Sequence, residues 1–205
     1  MNKFLVSLLF GLSLFTTYSF AQCPKRDPKT KSIEHTLDPE SQFDLICSYH
    51  ESEDNTLVMA DFRITGDGPY DSDDVAKGID PIKGRISFGN KGNMPVEPKV
   101  VFFQFWTASA NPSRYPDGVK LTIFVDGKTL MSSSSTLQDT RKSDTYTTKW
   151  FFPDDIPYQE FLKIIQAKKV SFQIGETKAE LKPREFQRLR DFSNVIQKPD
   201  SESPQ

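Results

Sequence analysis

Histidine and cysteine are scarce in this chain, two of each in 205 residues, and both shortages narrow what it can do. Hydrolytic sites often rely on a histidine base. Here His35 falls in a polar N-terminal segment and His50 at the end of an outer strand, so neither is set up to serve a buried centre. No serine sits in a Gly-x-Ser-x-Gly elbow, and the run 132–135 reads as strand fading into loop. There is no internal repeat. Past residue 21 no stretch is apolar enough to cross a bilayer. The net charge is only −2, which argues against a general affinity for nucleic acid.

What is present begins with a leader. Lys3 precedes an uncharged apolar run over residues 4–15, and Ser19-Phe20-Ala21 places small residues where a signal peptidase inspects them. The order is that of a secretory signal over 1–21, which predicts export to the periplasm or the medium. Lipidation at Cys23 is disfavoured because Gln22 stands where a small residue is required. Cys23 and Cys47 then enter an oxidising compartment, where an even pair this close in sequence predicts a disulfide. A zinc site from Cys23, His35, Cys47 and His50 is opposed by strand alternation, which sends Cys47 and His50 to opposite faces. Residues 22–42 read as an N-terminal extension, 43–197 as a single β-rich domain long enough to build its own core, and 198–205 as a polar, disordered tail.

Within the domain, residues 99–108 read as the central strand. Val100, Phe102 and Gln104 alternate with Val101, Phe103 and Phe105, so both faces are largely apolar, which predicts a strand covered above and below. Residues 43–50 and 58–64 alternate as two antiparallel strands, and 85–88 as a short third. Val119, Leu121, Ile123 and Val125 run into Asp126-Gly127, a strong two-residue hairpin signal because both turn positions need φ > 0; this register sets Ile123 opposite Leu130. Tyr146, Thr148, Trp150 and Phe152 predict a further inward face. The period then changes to 3.6: Tyr158, Phe161, Leu162 and Ile165 stripe one helix. A Val170–Leu181 hairpin follows, turning at Gly175-Glu176, and Pro183 opens a last helix with Phe186, Leu189 and Phe192 on one side. The fold class expected is mainly β: an antiparallel β-sandwich-like domain with two short helices near the C-terminus.

The hairpin, the tryptophan strand, the segment Phe161-Leu-Lys-Ile-Ile-Gln-Ala-Lys-Lys-Val, Phe172-Gln-Ile-Gly and Ala179-Glu-Leu-Lys-Pro-Arg-Glu-Phe-Gln-Arg-Leu-Arg resemble a group of exported bacterial proteins of unknown function, over residues 99–192. The resemblance implies a β-rich domain ending in helix, β-hairpin and helix. It carries over no activity and no site residue.

Two loops remain as candidate binding elements. Residues 66–80 carry Asp67, Asp71, Asp73, Asp74 and Asp80, which invites a calcium reading; Asp71 and Asp73 fit the first EF-hand positions, but Val75 stands where the third ligand belongs, and a solvated acidic loop is preferred. Residues 111–118 present Tyr115 as a contact. Lys182, Arg184, Arg188 and Arg190 suggest an anion-binding helix, interrupted by Glu185 and Asp191. The expectation is a non-enzymatic binding or structural domain of the cell envelope, contacting an envelope component or protein through these loops, with no metal and no cofactor. The alternative is a secreted hydrolase with a carboxylate site drawn from Asp73, Asp74, Asp154 and Asp155.

Overall fold

A computed structural model describes residues 45–196 apart from Pro69 and Met94. The leader, the extension, the Cys23–Cys47 bond, His35 and the tail lie outside the described residues. In chain order the elements are β1 (Ile46–His50), β2 (Asn55–Thr65), α1 (Asp71–Ala76), β3 (Ile82–Lys91) and β4 (Val100–Ala110). Next come β5 (Lys120–Val125), β6 (Lys128–Ser134), β7 (Thr136–Lys142), β8 (Tyr146–Phe152) and β9 (Ile156–Pro157). The chain closes with α2 (Tyr158–Gln166), β10 (Val170–Ile174), β11 (Thr177–Glu180) and α3 (Pro183–Asn194).

Two antiparallel sheets result. The larger is ordered β1-β2-β3-β4-β8-β7, with β9 also pairing β4, and the smaller β11-β10-β5-β6. The chain changes sheet at Ser135, between β6 and β7. The inner faces meet through Phe62, Phe103 and Phe172, whose ring centroids lie 5.7–5.9 Å apart, and through Leu121 and Ile123, both fully buried. Each aromatic pair adds about 0.5–1.5 kcal/mol beyond area burial. Phe62 lies across Gly84 of β3, its cross-strand partner; a Cβ on Gly84 would meet the Phe62 ring at 2.4 Å, so only glycine lets that ring lie flat.

Helices α2 and α3 pack on the large sheet through buried aromatic residues. Phe192 of α3 meets Phe88 of β3 edge-on at 5.4 Å and Phe161 of α2 at 5.6 Å. Glu185, in the first turn of α3, accepts the backbone N–H of Arg63 at 2.8 Å and the Arg188 guanidinium at 2.5 Å, fastening helix to β2. Arg190 donates to the carbonyls of Ile165 and Ala167 at the end of α2, where a cation opposes the helix dipole. Of the basic residues of α3, Arg188 is paired within the helix and Arg190 bridges to α2, while Arg184 is exposed; Lys182 pairs with Asp67.

Several expectations are corrected. The 66–80 segment contains a third helix, α1. Strand β3 runs for 10 residues rather than covering only 85–88. Strand β4 is interior to its sheet, but one face only is fully covered: Val101, Phe103 and Phe105 are buried while Phe102 is 45% exposed. Asp126 and Gly127 do take positive φ, 49° and 82°, yet Ile123 faces Met131 because Leu130 is bulged out of the ladder. In β8 the parity is reversed. Phe151 points inward, stacked on Phe105 at 5.1 Å, so Tyr146, Thr148, Trp150 and Phe152 belong to the outer face.

Candidate binding cleft

The reversed parity of β8 assembles a site that alternation alone conceals. Phe105 pairs with Phe151 on the inside, so their neighbours Trp106 and Trp150 pair on the outside. Directly opposed residues on one sheet face hold their Cβ atoms about 5 Å apart, which sets two half-buried indoles on neighbouring strands of the outer face. Lys83 of β3 stands opposite Trp106, and Asp139 of β7 opposite Trp150. The next row places Thr148 against Arg141. Tyr146, at the start of β8, and Ser143 and Lys142, at the β7–β8 turn, complete a cleft of about 270 Å³ whose far side is Asp71 of α1. That volume lies just below the roughly 300–1,000 Å³ of sites that enclose a whole drug-sized ligand, so it suits one segment of a longer one.

Each indole carries a guanidinium. Arg141 lies 4.7 Å from the Trp150 ring centroid and Arg85 5.9 Å from that of Trp106, within cation–π range. Arg85 is also clamped by both oxygens of Asp61, at 2.6 and 2.8 Å, and this hydrogen-bonded carboxylate raises its pKa against the opposing effect of burial. Arg85 is therefore fixed in the sheet. Arg141 is far more open, its side chain 76% exposed, with Asp139 at 3.4 Å.

The acidic insertion does not gather its carboxylates. Asp67 goes to Lys182, Asp80 to Arg114, and Asp71 to Lys83 at 2.6 Å. Asp74 is buried and accepts the Gly68 N–H with both oxygens, at 2.9 and 3.0 Å. Asp73 lies in the first turn of α1. Among the described residues no three metal-ligating side chains converge. The segment carries the short helix α1 with Asp74 buried and Asp71 and Asp80 ion-paired, while Asp67 is 78% exposed beside Lys182, and its contribution to the cleft is Asp71.

Tyr115 is likewise corrected as a surface contact. It is 2% exposed, its hydroxyl shares a hydrogen bond with Thr177 at 3.0 Å, and burial raises its pKa. Its carbonyl accepts the ammonium of Lys149, 2.6 Å away. Lys149 is thus the inward residue where the sequence suggested an outward one. Asp154 and Asp155 lie between β8 and β9, away from the cleft lining. His50 ends the edge strand β1, 3.4 Å from the Ser48 hydroxyl. The sequence does not single out Trp106, because a strand apolar on both faces predicts cover on both sides; the available signal is its alternation with Phe103 and Phe105. Among the described residues no helix is long and apolar enough to cross a membrane. Comparison with protein-family models, with curated proteins and with solved structures found no match.

Proposed function

We propose that this chain is an exported, non-enzymatic binding domain of the cell envelope, and that it holds its ligand on the Trp106–Trp150 cleft. The observation that carries this is the pairing of two large aromatic side chains on the solvent face of a rigid sheet, where burial in the core gives no reason for them. Aromatic residues contribute much of the binding energy at recognition surfaces because they bring large contact area at small entropic cost. Sites on strands also hold their side chains more firmly than sites on loops. The leader over 1–21 supports export; the mature protein should begin at Gln22. A Cys23–Cys47 disulfide would then tie the extension to β1, and an intact-mass measurement without reductant should find two hydrogens missing.

The binding reading is tested by immobilising the mature protein and loading envelope extract. Replacing Trp106 and Trp150 together by Ala should abolish specific retention while circular dichroism and melting stay near wild type. Tyr70→Ala, an exposed aromatic beside α1 and outside the cleft lining, should retain as wild type does. Equal retention by the double tryptophan variant would sink the proposal.

A further inference from the structure

We infer that the cleft takes an acidic saccharide, with a sugar ring laid against Trp106 and its carboxylate on the Arg141 guanidinium. This rests on the cleft being the binding site. The lining divides into three kinds of group. The indoles offer flat apolar surface suited to the C–H face of a pyranose. The hydroxyls of Thr148 and Tyr146 suit a ligand dense in hydroxyl groups. The charges of the lining admit an anion: Asp71 is ion-paired with Lys83 at 2.6 Å, and the Arg141 side chain is 76% exposed.

Arg141 is the group best prepared for a carboxylate. Its guanidinium lies over the Trp150 ring at 4.7 Å, with Nε 3.4 Å from an Asp139 oxygen, and a planar fork of this kind suits bidentate binding of a carboxylate. An acidic peptide is the competing anion. Extended peptides bind by adding a strand to a sheet edge, and the nearby edge is β7. Its ladder is broken between Leu137 and Asp139, and its side chains are charged and exposed, features that oppose strand addition.

The chain's two tryptophans are both in the cleft, so intrinsic tryptophan fluorescence reports on this site alone. The mature protein is titrated with tetragalacturonate, a hyaluronate tetrasaccharide, a muramyl disaccharide, methyl-esterified tetragalacturonate and heptaglutamate. At least one acidic saccharide should shift or quench the emission in a saturable way. Arg141→Ala should weaken that binding at least tenfold with melting unchanged, and Arg141→Lys should weaken it less. If tetragalacturonate is the ligand, esterification should also cost at least tenfold. Silence from all three acidic saccharides, or an ester bound as tightly as the acid, overturns the inference. Saturable binding of heptaglutamate lost in Arg141→Ala overturns the saccharide assignment while leaving the cleft as a binding site. Retention from envelope extract that ignores the tryptophans removes the cleft reading itself.

Discussion

The large sheet carries aromatic rings on both faces, and the two faces use them differently. Inside, Phe62, Phe103, Phe105 and Phe151 are fully or almost fully buried and touch one another or the second sheet. They are hydrocarbon only, which is what a dry interior requires, because a buried indole or phenol must find a hydrogen-bond partner. Outside, Trp106, Trp150 and Tyr146 carry a polar atom on each ring and are interleaved with arginine, lysine and threonine. In the neighbouring pairs Phe105-Trp106 and Trp150-Phe151 the phenylalanine points in and the tryptophan out, while Phe102 and Phe152 are the phenylalanines that β4 and β8 leave exposed.

The comparison makes ranked predictions, of which the inner face supplies the largest. Phe103→Ala removes a ring in contact with Phe62, Phe105 and Phe172 and should cost about 3–5 kcal/mol, measured by denaturant unfolding of the mature protein. A loss below about 1 kcal/mol would mean the faces do not differ as described.

Next comes a charged pair on the covered side, Glu185 with Arg188. Glu185 and Arg188 have side chains only 8% and 13% exposed, and burial is the foremost influence lowering the Arg188 pKa, with Glu185 opposing it. Glu185→Ala removes that compensation and the acceptor of the Arg63 N–H, and should cost about 3 kcal/mol. Replacing Glu185 and Arg188 together by Met should recover much of the loss, because a well-packed apolar pair of similar volume avoids the desolvation cost. The measurement is a double-mutant cycle in the same unfolding assay; additive losses would show that the two charges do not act as a pair.

Tyr115 is an inward phenol and gives a smaller, pH-dependent effect. Its pKa is raised in the folded protein, by burial first, from an unfolded value of about 10. Folding therefore favours the protonated phenol. The contribution is fully present below pH about 10 and is lost as pH rises through the folded value, because the unfolded chain releases the proton first. Tyr115→Phe should cost about 1 kcal/mol at neutral pH through the lost Thr177 bond, and should make the alkaline fall in stability shallower. Wild type and variant falling in parallel above pH about 10 would contradict this.

Most of the fold was legible because it is written in local signals. Asp126-Gly127 announced its turn, and the β10–β11 register, with Phe172 opposite Ala179 and Ile174 opposite Thr177, followed from turn length and alternation. The stripe on α2 and the proline at the start of α3 likewise located the two C-terminal helices. The site was not legible, for one physical reason. In Trp150-Phe151-Phe152 both parities are apolar, so alternation cannot say which residue faces in, and a shift by one position exchanges the faces. The decision is made by a non-local contact, Phe105 against Phe151, together with a polar group that finds its partner inside, Lys149 on the Tyr115 carbonyl. The aspartates of 66–80 failed to read correctly for a similar reason. Their partners, Lys83, Arg114 and Lys182, are distant in sequence, and a cluster of like charge looks solvated until those partners are known.

The outer face supplies the smallest stability effect and the sharpest contrast. Trp150 is half-buried on the outer face; removing its ring deletes the cation–π contact with Arg141 but opens no cavity in the core. Exposed cation–π contacts are worth about 0.5–1 kcal/mol, and surface substitutions away from the core usually fall within about 0.5 kcal/mol. Trp150→Ala should therefore cost about 1 kcal/mol or less in the unfolding assay that registers 3–5 kcal/mol for Phe103→Ala. If the ring is there to hold the fold, for instance by clamping β7 to β8, its loss should approach the inner-face value and β7 amides should lose hydrogen-exchange protection. If it is there for a ligand, stability and β7 protection should stay close to wild type while retention of envelope material falls. A large loss on both measures would place Trp150 with the phenylalanines, and the division between the faces would then rest on Trp106 alone.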